Sequence, residues 1–358
     1  MSASTYSSSD SRQPLDQTVL LGHGSGGQMM KRLIDQLFLE EFDAPELRAG
    51  NDAGVASAEL DGKRPARIAM STDSFVVTPH FFPGGNIGRL AVCGTVNDVA
   101  TSGAAPLYLS CGFILEEGYP IKDLKEIVQS MAQTAREAGV AIITGDTKVV
   151  ERGGADGLYI NTAGVGALAD DVDLSGSHLV PGDKVLVSGT LGDHGIAIMS
   201  RREGLSFGTT VESDAAPLNH LMAAVMAAAP HVRCFRDPTR GGLASTLNEF
   251  AEASGVDIAV DEERVPVNPQ VQAACEMLGY DVLQVANEGK IVAVVPADEA
   301  DAALAAMRAS RYGENAAIIG EVEGRTEQGR RPLVRVRCAW GSSRVLDMLV
   351  GEQLPRIC

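Results

Sequence analysis

The sequence predicts two domains of mixed helix and strand, followed by a flexible C-terminal tail. Three observations carry this reading. The chain has 358 residues, more than one ordinary core accommodates. Strand-like and helix-like apolar patterns alternate through both halves, with a Pro181-Gly182-Asp183 turn at the passage between them. The end, Gly351-Glu352-Gln353-Leu354-Pro355-Arg356-Ile357-Cys358, follows a loosened Gly341-Ser342-Ser343 stretch, and its proline favours an extended arm over a helix. The expected divisions are a disordered leader over 1–17, an N-terminal domain over 18–170, a C-terminal domain over 171–340 and a mobile tail over 341–358.

Composition narrows the function classes. A hydrophobic content of 45% supplies a core, and a single Trp with 4% aromatics makes that core aliphatic. The 47 acidic residues against 30 basic ones give −17, which argues against nucleic acid or an anionic membrane as the main partner. ATP stays open, because a glycine loop, a lysine and a metal can locally override the global charge. No apolar run approaches the 18 or more residues of a spanning helix. The Ser- and Gln-rich start has no apolar signal core. The six cysteines form no Cys-x-x-Cys pair, which disfavours zinc, an iron–sulfur cluster or a disulfide framework and points to the cytoplasm. Cys93, Cys111 and Cys275 sit in apolar patterns as inert core thiols.

In chain order, Gly22-His23-Gly24-Ser25-Gly26-Gly27 opens a helical pattern and could cradle a phosphate or be a flexible loop. Ile68–Val77 reads as a strand interrupted by the polar turn Ser71-Thr72-Asp73. Asn86–Ala100 reads as a helix with Leu90, Gly94 and Asp98 along one stripe. Leu107–Ile114 is strand-like, and Leu124, Ile127, Val128, Met131 and Ala135 form an amphipathic helix closed by Gly139. Val140–Thr144 reads as a buried strand leading into Gly145-Asp146-Thr147-Lys148, with a further strand over Leu158–Gly166. In the second half, strand Lys184–Ser188 precedes Gly192-Asp193-His194-Gly195. Arg236-Asp237-Pro238-Thr239-Arg240-Gly241-Gly242 introduces a helix, and Ala286-Asn287-Glu288-Gly289-Lys290 precedes strand Ile291–Val295.

Asp52, Asp73, Asp98 and Asp237 each sit in Gly-, Asn- or Thr-rich surroundings, where a turn or cap role is the ordinary one. If they converge they need a cation, since two carboxylates about 4 Å apart repel by about 4 kcal/mol at an effective dielectric of 20. All-oxygen ligation suits Mg2+, which binds together with substrate phosphates. Lys148 could neutralise phosphate charge in transfer, or be a solvated surface lysine. Cys358 has no residue after it, so its sulfur can be pushed into a pocket and withdrawn, and eight extended residues reach about 25 Å. A guanidinium at Arg356 would favour the thiolate.

Taken in order, His23–Gly27, Asn51-Asp52-Ala53, Ser71–Ser74, Phe82–Gly88, Gly94–Ala100, Gly145–Val150, Gly192–Gly195, Arg236–Gly242, Ala286–Gly289 and Leu354–Cys358 resemble the HypE family. These are the carbamoyl dehydratases of nickel–iron hydrogenase maturation, within the superfamily of aminoimidazole ribonucleotide synthetases and selenophosphate synthetases. The resemblance runs from about residue 18 to the end, and the Pro-Arg-Ile-Cys terminus is its most specific part.

The resemblance implies an α/β N-terminal domain that pairs with its twin in a homodimer, and an α+β C-terminal domain. It implies that a carbamoyltransferase partner (HypF) loads Cys358, that ATP drives dehydration to a thiocyanate, and that cyanide passes to an iron-scaffold complex (HypC-HypD). Carried over residue by residue, Asp52, Asp73, Asp98 and Asp237 become the metal and phosphate set. Gly24, Ser25, Gly26, Gly27, Asp146 and Lys148 would lie against the phosphates, Glu288 is the candidate base, and His194 and Arg240 are candidates for positioning. Two rival readings stand beside this one. The first is a superfamily enzyme phosphorylating a free small molecule, with the tail incidental; the second is a non-enzymatic thiol carrier whose conformation nucleotide sets.

Overall fold

The computed structural model describes residues 27–38, 48, 50–58, 66–204, 210–338, 340–349, 354 and 356–358. Gly24, Ser25 and Gly26, and the expected leader, lie outside the described residues. After the short helix α1 (Gln28–Leu33), the first sheet begins with β1 (Gly54–Ala58) and β2 (Ala66–Phe75). A small hairpin, β3 (Phe81–Phe82) and β4 (Gly85–Asn86), leads into helix α2 (Ile87–Thr101). Strand β5 (Ala105–Glu116), helix α3 (Ile121–Ala138), strand β6 (Ala141–Val150) and strand β7 (Leu158–Leu168) follow. The sheet order is β1-β2-β7-β5-β6, and only β5 and β6 run parallel, as the α3 crossover requires.

Helix α2 is the axle of the molecule. Asn86 caps it, its side chain accepting from the N–H groups of Gly88 and Arg89 at 2.9 and 3.1 Å. Thirteen of its fifteen residues are buried, so the expected one-sided stripe is instead a helix covered all round. It packs on β2 and β7 beneath, on α3 beside it, and on the second domain above. A side chain at Gly88 would meet the Ile127 carbonyl at 2.5 Å, which is how closely α2 and α3 approach. Helix α3 buries Ile127, Met131 and Ala135, leaves Val128 exposed, and ends at left-handed Gly139 (φ 74°).

Two expectations about this sheet are corrected. Strand β2 runs unbroken through Ser71-Thr72-Asp73 to Phe75, because period-two alternation sends Thr72 and Ser74 to the open face and Asp73 to the face under α2. Residues 140–144 are not a buried strand ending before a loop. Strand β6 continues through Gly145-Asp146-Thr147-Lys148, and all but its last residue are exposed, because it is the edge strand.

The second sheet joins β8 (Lys184–Val187), β9 (Cys234–Arg236), β10 (Val256–Asp261), β11 (Val292–Val295), β12 (Ala317–Arg325), β13 (Val334–Arg337) and β14 (Ser343–Val345). Its order is β14-β13-β10-β12-β8-β11-β9. Between the strands run α4 (Asp193–Glu203), α5 (Asn219–Ala228), α6 (Gly242–Ser254), α7 (Pro269–Leu278) and α8 (Ala300–Ala309). Val185, Val187, Val292 and Val294 pack with Leu243, Leu247 and Phe250 of α6, while Leu186, Ala293 and Val295 pack with Leu221, Val225 and Met307 of α5 and α8. Burial on both faces is why Ile291–Val295 reads as a continuous apolar run. Among the described residues, no helix is long and apolar enough to cross a membrane.

The stretch from 341, expected to begin the mobile tail, starts inside this sheet. Ser343–Val345 pair with Val336 and its neighbours, and Leu346 and Met348 are buried behind them. One hydrophobic cluster then unites Val77, Ile87 and Val92 of the first domain, Ile196 and Val285 of the second, and Leu354 and Ile357 of the tail.

Candidate active site

Three motifs meet on one side chain. Asn287 Oδ1 accepts from Gly192 N at 2.7 Å, while its Nδ2 donates to the Pro238 carbonyl at 2.9 Å and the Val285 carbonyl at 3.0 Å. This knot holds the start of α4, the Arg236–Gly242 turn and the 286–289 turn around one buried space. Gly289 is required there: a Cβ would lie 1.7 Å from the Asp214 carbonyl oxygen. Gly289→Ala is expected to destabilise the protein by about 1–3 kcal/mol, read as a lowered midpoint in thermal unfolding; an unchanged midpoint would refute the close approach.

The four aspartates share one electrostatic environment. Arg236 Nε holds Asp52 Oδ1 at 3.0 Å, and its Nη2 donates to the Gly50 carbonyl at 2.7 Å. Asp52 Oδ2 is buried with no hydrogen-bond partner. Burial pushes Asp52 up to about 6, with Arg236 opposing and the charges of Glu249 and Asp73 adding to the rise. Asp98 accepts from Ser71 Oγ at 2.8 Å; burial, then the charges of Asp73, Asp237 and Asp52, hold it well above the usual carboxylate range. Asp237 is raised likewise by burial, then by Asp52 and Asp73. Asp73 is raised by burial and eased by Arg240. Gly94 of α2 admits this carboxylate, since a Cβ there would sit 3.0 Å from Phe75 and 3.5 Å from Asp73 Oδ2.

Among the described residues, no three His, Cys, Asp or Glu side chains are grouped as ligands for one ion. The structure thus brings the aspartates near one another without assembling the expected cage. Their chemistry nevertheless fits a hard divalent cation: the donors are all oxygen, Arg236 and Arg240 offset only part of their negative charge, and one buried oxygen is orphaned.

The tail is docked inward. Val76 N donates to the Cys358 carbonyl at 3.0 Å and Thr78 N to the Arg356 carbonyl at 3.4 Å, so the chain end lies along the segment that prolongs β2. Arg202 Nη2 donates to the carbonyls of Thr78 and Arg356, both at 2.8 Å, and His194 Nε2 lies 2.6 Å from the Ile357 carbonyl. Burying Leu354 and Ile357 contributes about 3–6 kcal/mol, while ordering the four described tail residues costs about 4–8 kcal/mol of backbone entropy. Hydrogen bonds worth about 1 kcal/mol each net tip the sum towards the docked state.

Arg356 does not serve the thiol. Its guanidinium turns to Asp156 Oδ2 at 2.6 Å, Thr78 Oγ1 at 3.1 Å and the Val76 carbonyl at 3.2 Å. The cation beside the sulfur is Arg240. Burial pushes Cys358 up to about 12, Arg240 works against that rise, and the charges of Glu288 and Asp73 add to it. Glu288 is held well above the usual carboxylate range by burial, then by Asp237, Asp214 and Asp73, with Arg240 opposing; its Oε1 is buried without a partner. Cys358, Arg240, Glu288 and Asp73 therefore form one interacting group that bridges both domains.

Asp146 and Lys148 are placed elsewhere. They form an ion pair with each other at 2.6 Å on the open face of the first sheet, each side chain 69% exposed. Asp73 pairs with Thr162, Thr162 with Cys111, and Cys111 with Gly145, so the neighbours of Gly145 point to the opposite face from Asp73. Three strand spacings, about 14 Å, also intervene. Within one chain, neither residue reaches the acidic cluster. Gly27 is buried at the start of α1, a helix of six residues. Sequence reasoning missed Arg202, Asp156, Ser213 and Asp214, which lie in none of the recognised motifs.

Two family models cover most of the chain: the N-terminal domain of AIR synthase related proteins over residues 50–168 and the C-terminal domain over 180–331. Carbamoyl dehydratase HypE of Cupriavidus necator is 54% identical over 338 residues, 94% of each chain. A crystal structure of a HypE-HypF complex superposes with a TM-score of 0.81 at 49% identity, covering 88% of this chain and 99% of that one. A crystal structure of HypE in complex with ATP superposes with a TM-score of 0.79 at 51% identity, covering 95% and 100%. The chain belongs to the AIR synthase related family and, within it, to the HypE carbamoyl dehydratases.

Proposed function

We propose that this protein dehydrates a carbamoyl group carried on Cys358 to a thiocyanate, at the expense of ATP. The observation that carries the reading is the docked tail, which sets Cys358 beside Arg240 and Glu288 against a core shared by both domains. In balanced form, the amide oxygen of the thiocarbamate attacks the terminal phosphorus, ADP leaves, and one amide proton is lost. The carbon–oxygen bond then breaks, phosphate departs with the oxygen, and loss of the second amide proton completes the carbon–nitrogen triple bond. Glu288 is the base within the group, and Arg240 holds negative charge that develops beside the sulfur. Asp52, Asp73, Asp98 and Asp237 would hold Mg2+, which supplies charge neutralisation at the phosphates. Gly24, Ser25, Gly26 and Gly27 are the proposed loop against those phosphates. The test is the mass of the C-terminal peptide after incubation with carbamoyltransferase and carbamoyl phosphate, then with ATP. A gain of one carbamoyl group followed by loss of one water is expected; a free phosphorylated small molecule with an unmodified tail would overturn the reading.

The partners follow from the same reading: HypF as carbamoyl donor, a HypC-HypD complex as cyanide acceptor, and a cytoplasmic setting. A homodimer is proposed through the open face of the first sheet, where Ile68, Met70, Tyr108 and Ile114 are exposed around Asp146 and Lys148. Face-to-face pairing would cover Asp146 and Lys148 between the two sheets. Sedimentation at micromolar concentration is expected to give a dimer, and Met70→Asp a monomer. A monomeric wild type would count against the pairing.

A further inference from the structure

The segment after α4, Val211 to Leu218, carries no recognised motif, yet both sides of the site are fastened to it. Ser213 N donates to the Pro83 carbonyl at 2.8 Å, and the Ala215 carbonyl accepts from Arg89 Nε at 2.7 Å. The Ala216 carbonyl accepts from Asn97 Nδ2 at 3.0 Å, while Leu218 N donates to Asn97 Oδ1 at 2.7 Å. Two motif glycines make room for it. A Cβ at Gly84, whose φ is +88°, would lie 2.6 Å from the Ser213 carbonyl oxygen, and one at Gly289 would lie 1.7 Å from that of Asp214. Both glycines thus serve the placement of one dipeptide.

Each side chain of the dipeptide faces a different part of the site. Asp214 Oδ1 accepts from the backbone N–H of Glu288 at 3.0 Å, and Lys290 Nζ lies 3.3 Å from its Oδ2. Ser213 Oγ lies 2.8 Å from His194 Nδ1, and His194 Nε2 lies 2.6 Å from the Ile357 carbonyl. A carbonyl only accepts, so Nε2 carries a proton. His194 is fully buried, and burial lowers its pKa, so the ring is neutral and Nδ1 must accept from the serine hydroxyl.

We infer that Ser213 is a positioning residue for the carrier tail: its hydroxyl fixes the tautomer and orientation of His194, which holds the carbonyl one residue before Cys358. Through Asp214, the same dipeptide registers Glu288 against that docked thiol. The inference rests on the reading of Cys358 as carrier only for its purpose; the docking itself is testable without it.

The experiment measures the rate at which a maleimide labels Cys358 in the unmodified full-length protein, read as the mass of the C-terminal peptide. Ser213→Ala is expected to speed labelling about fivefold, the effect of one lost hydrogen bond. Ser213→Thr, which keeps the hydroxyl, is expected to restore the wild-type rate. His194→Ala should speed labelling at least as much, and adding Ser213→Ala to it should change nothing further, because the serine acts through the histidine. Unchanged labelling in a Ser213→Ala variant with the wild-type melting temperature would overturn the proposal. So would equal acceleration in the threonine variant, or additive effects in the double variant. If labelling behaves as expected but carbamoylated wild type releases no phosphate with ATP, the positioning role stands and the carrier reading falls.

Discussion

Cys358→Ser is expected to abolish both carbamoyl acceptance and ATP-dependent phosphate release from loaded protein. The sulfur is the proposed nucleophile of the tail, and serine at neutral pH offers neither a thiolate nor a comparable leaving group. The fold should survive, because burial of the tail rests on Leu354 and Ile357 and on backbone carbonyls rather than on the sulfur. The measurement is C-terminal peptide mass with carbamoyltransferase, carbamoyl phosphate and ATP, beside a thermal melt. Phosphate release that persists in the serine variant would favour a free small-molecule substrate and leave the tail incidental. In the wild type the docked thiol, pushed up to about 12, is protonated. On the proposed reading, loading therefore requires the tail to leave its docked position.

Asp98→Asn is expected to lower ATP turnover about 100-fold or more while leaving Cys358 able to accept the carbamoyl group. On the proposed reading, loading happens with the tail outside, whereas Asp98 is buried against Asp73, Asp237 and Asp52. The same substitution should raise the melting temperature of metal-free protein, since it removes one of several like charges held out of water. The sign of the pH dependence follows. Carboxylates raised in the fold bind protons more tightly there than when unfolded, so their contribution is full below the unfolded value and is lost as pH rises through the folded one. For Asp52 that window runs from 3.8 to about 6. Metal-free wild type should lose stability as pH rises through it, and millimolar Mg2+ should restore part of the loss. A variant that loses carbamoyl loading together with turnover while remaining folded would show that the two functions are not separable.

Much of this molecule was legible in its sequence because it depends on local chemistry. Asn86 before an apolar helix, Gly139 after one, and continuous apolar runs such as Ile291–Val295 specify their elements through capping, left-handed φ and burial on both faces. The motifs also singled out Asp52, Asp73, Asp98, Asp237 and Cys358, whose charges the fold brings within reach of one another. What the sequence could not decide is which face a residue takes and who its distant partners are. Asp73 and Lys148 sit in similar polar stretches, yet alternation along paired strands puts them on opposite faces of the sheet. Arg356 is two residues from Cys358, yet its guanidinium turns to Asp156, and Arg240, more than a hundred residues away, is the cation at the sulfur. Ser213 and Asp214 lie in no motif, because their roles are set by backbone carbonyls, buried ring nitrogens and two glycines from distant segments. Sequence determined the elements and the chemical inventory, since propensity and burial pattern are local; tertiary structure decided the pairings, since strand register and domain packing bring together residues with no local relation.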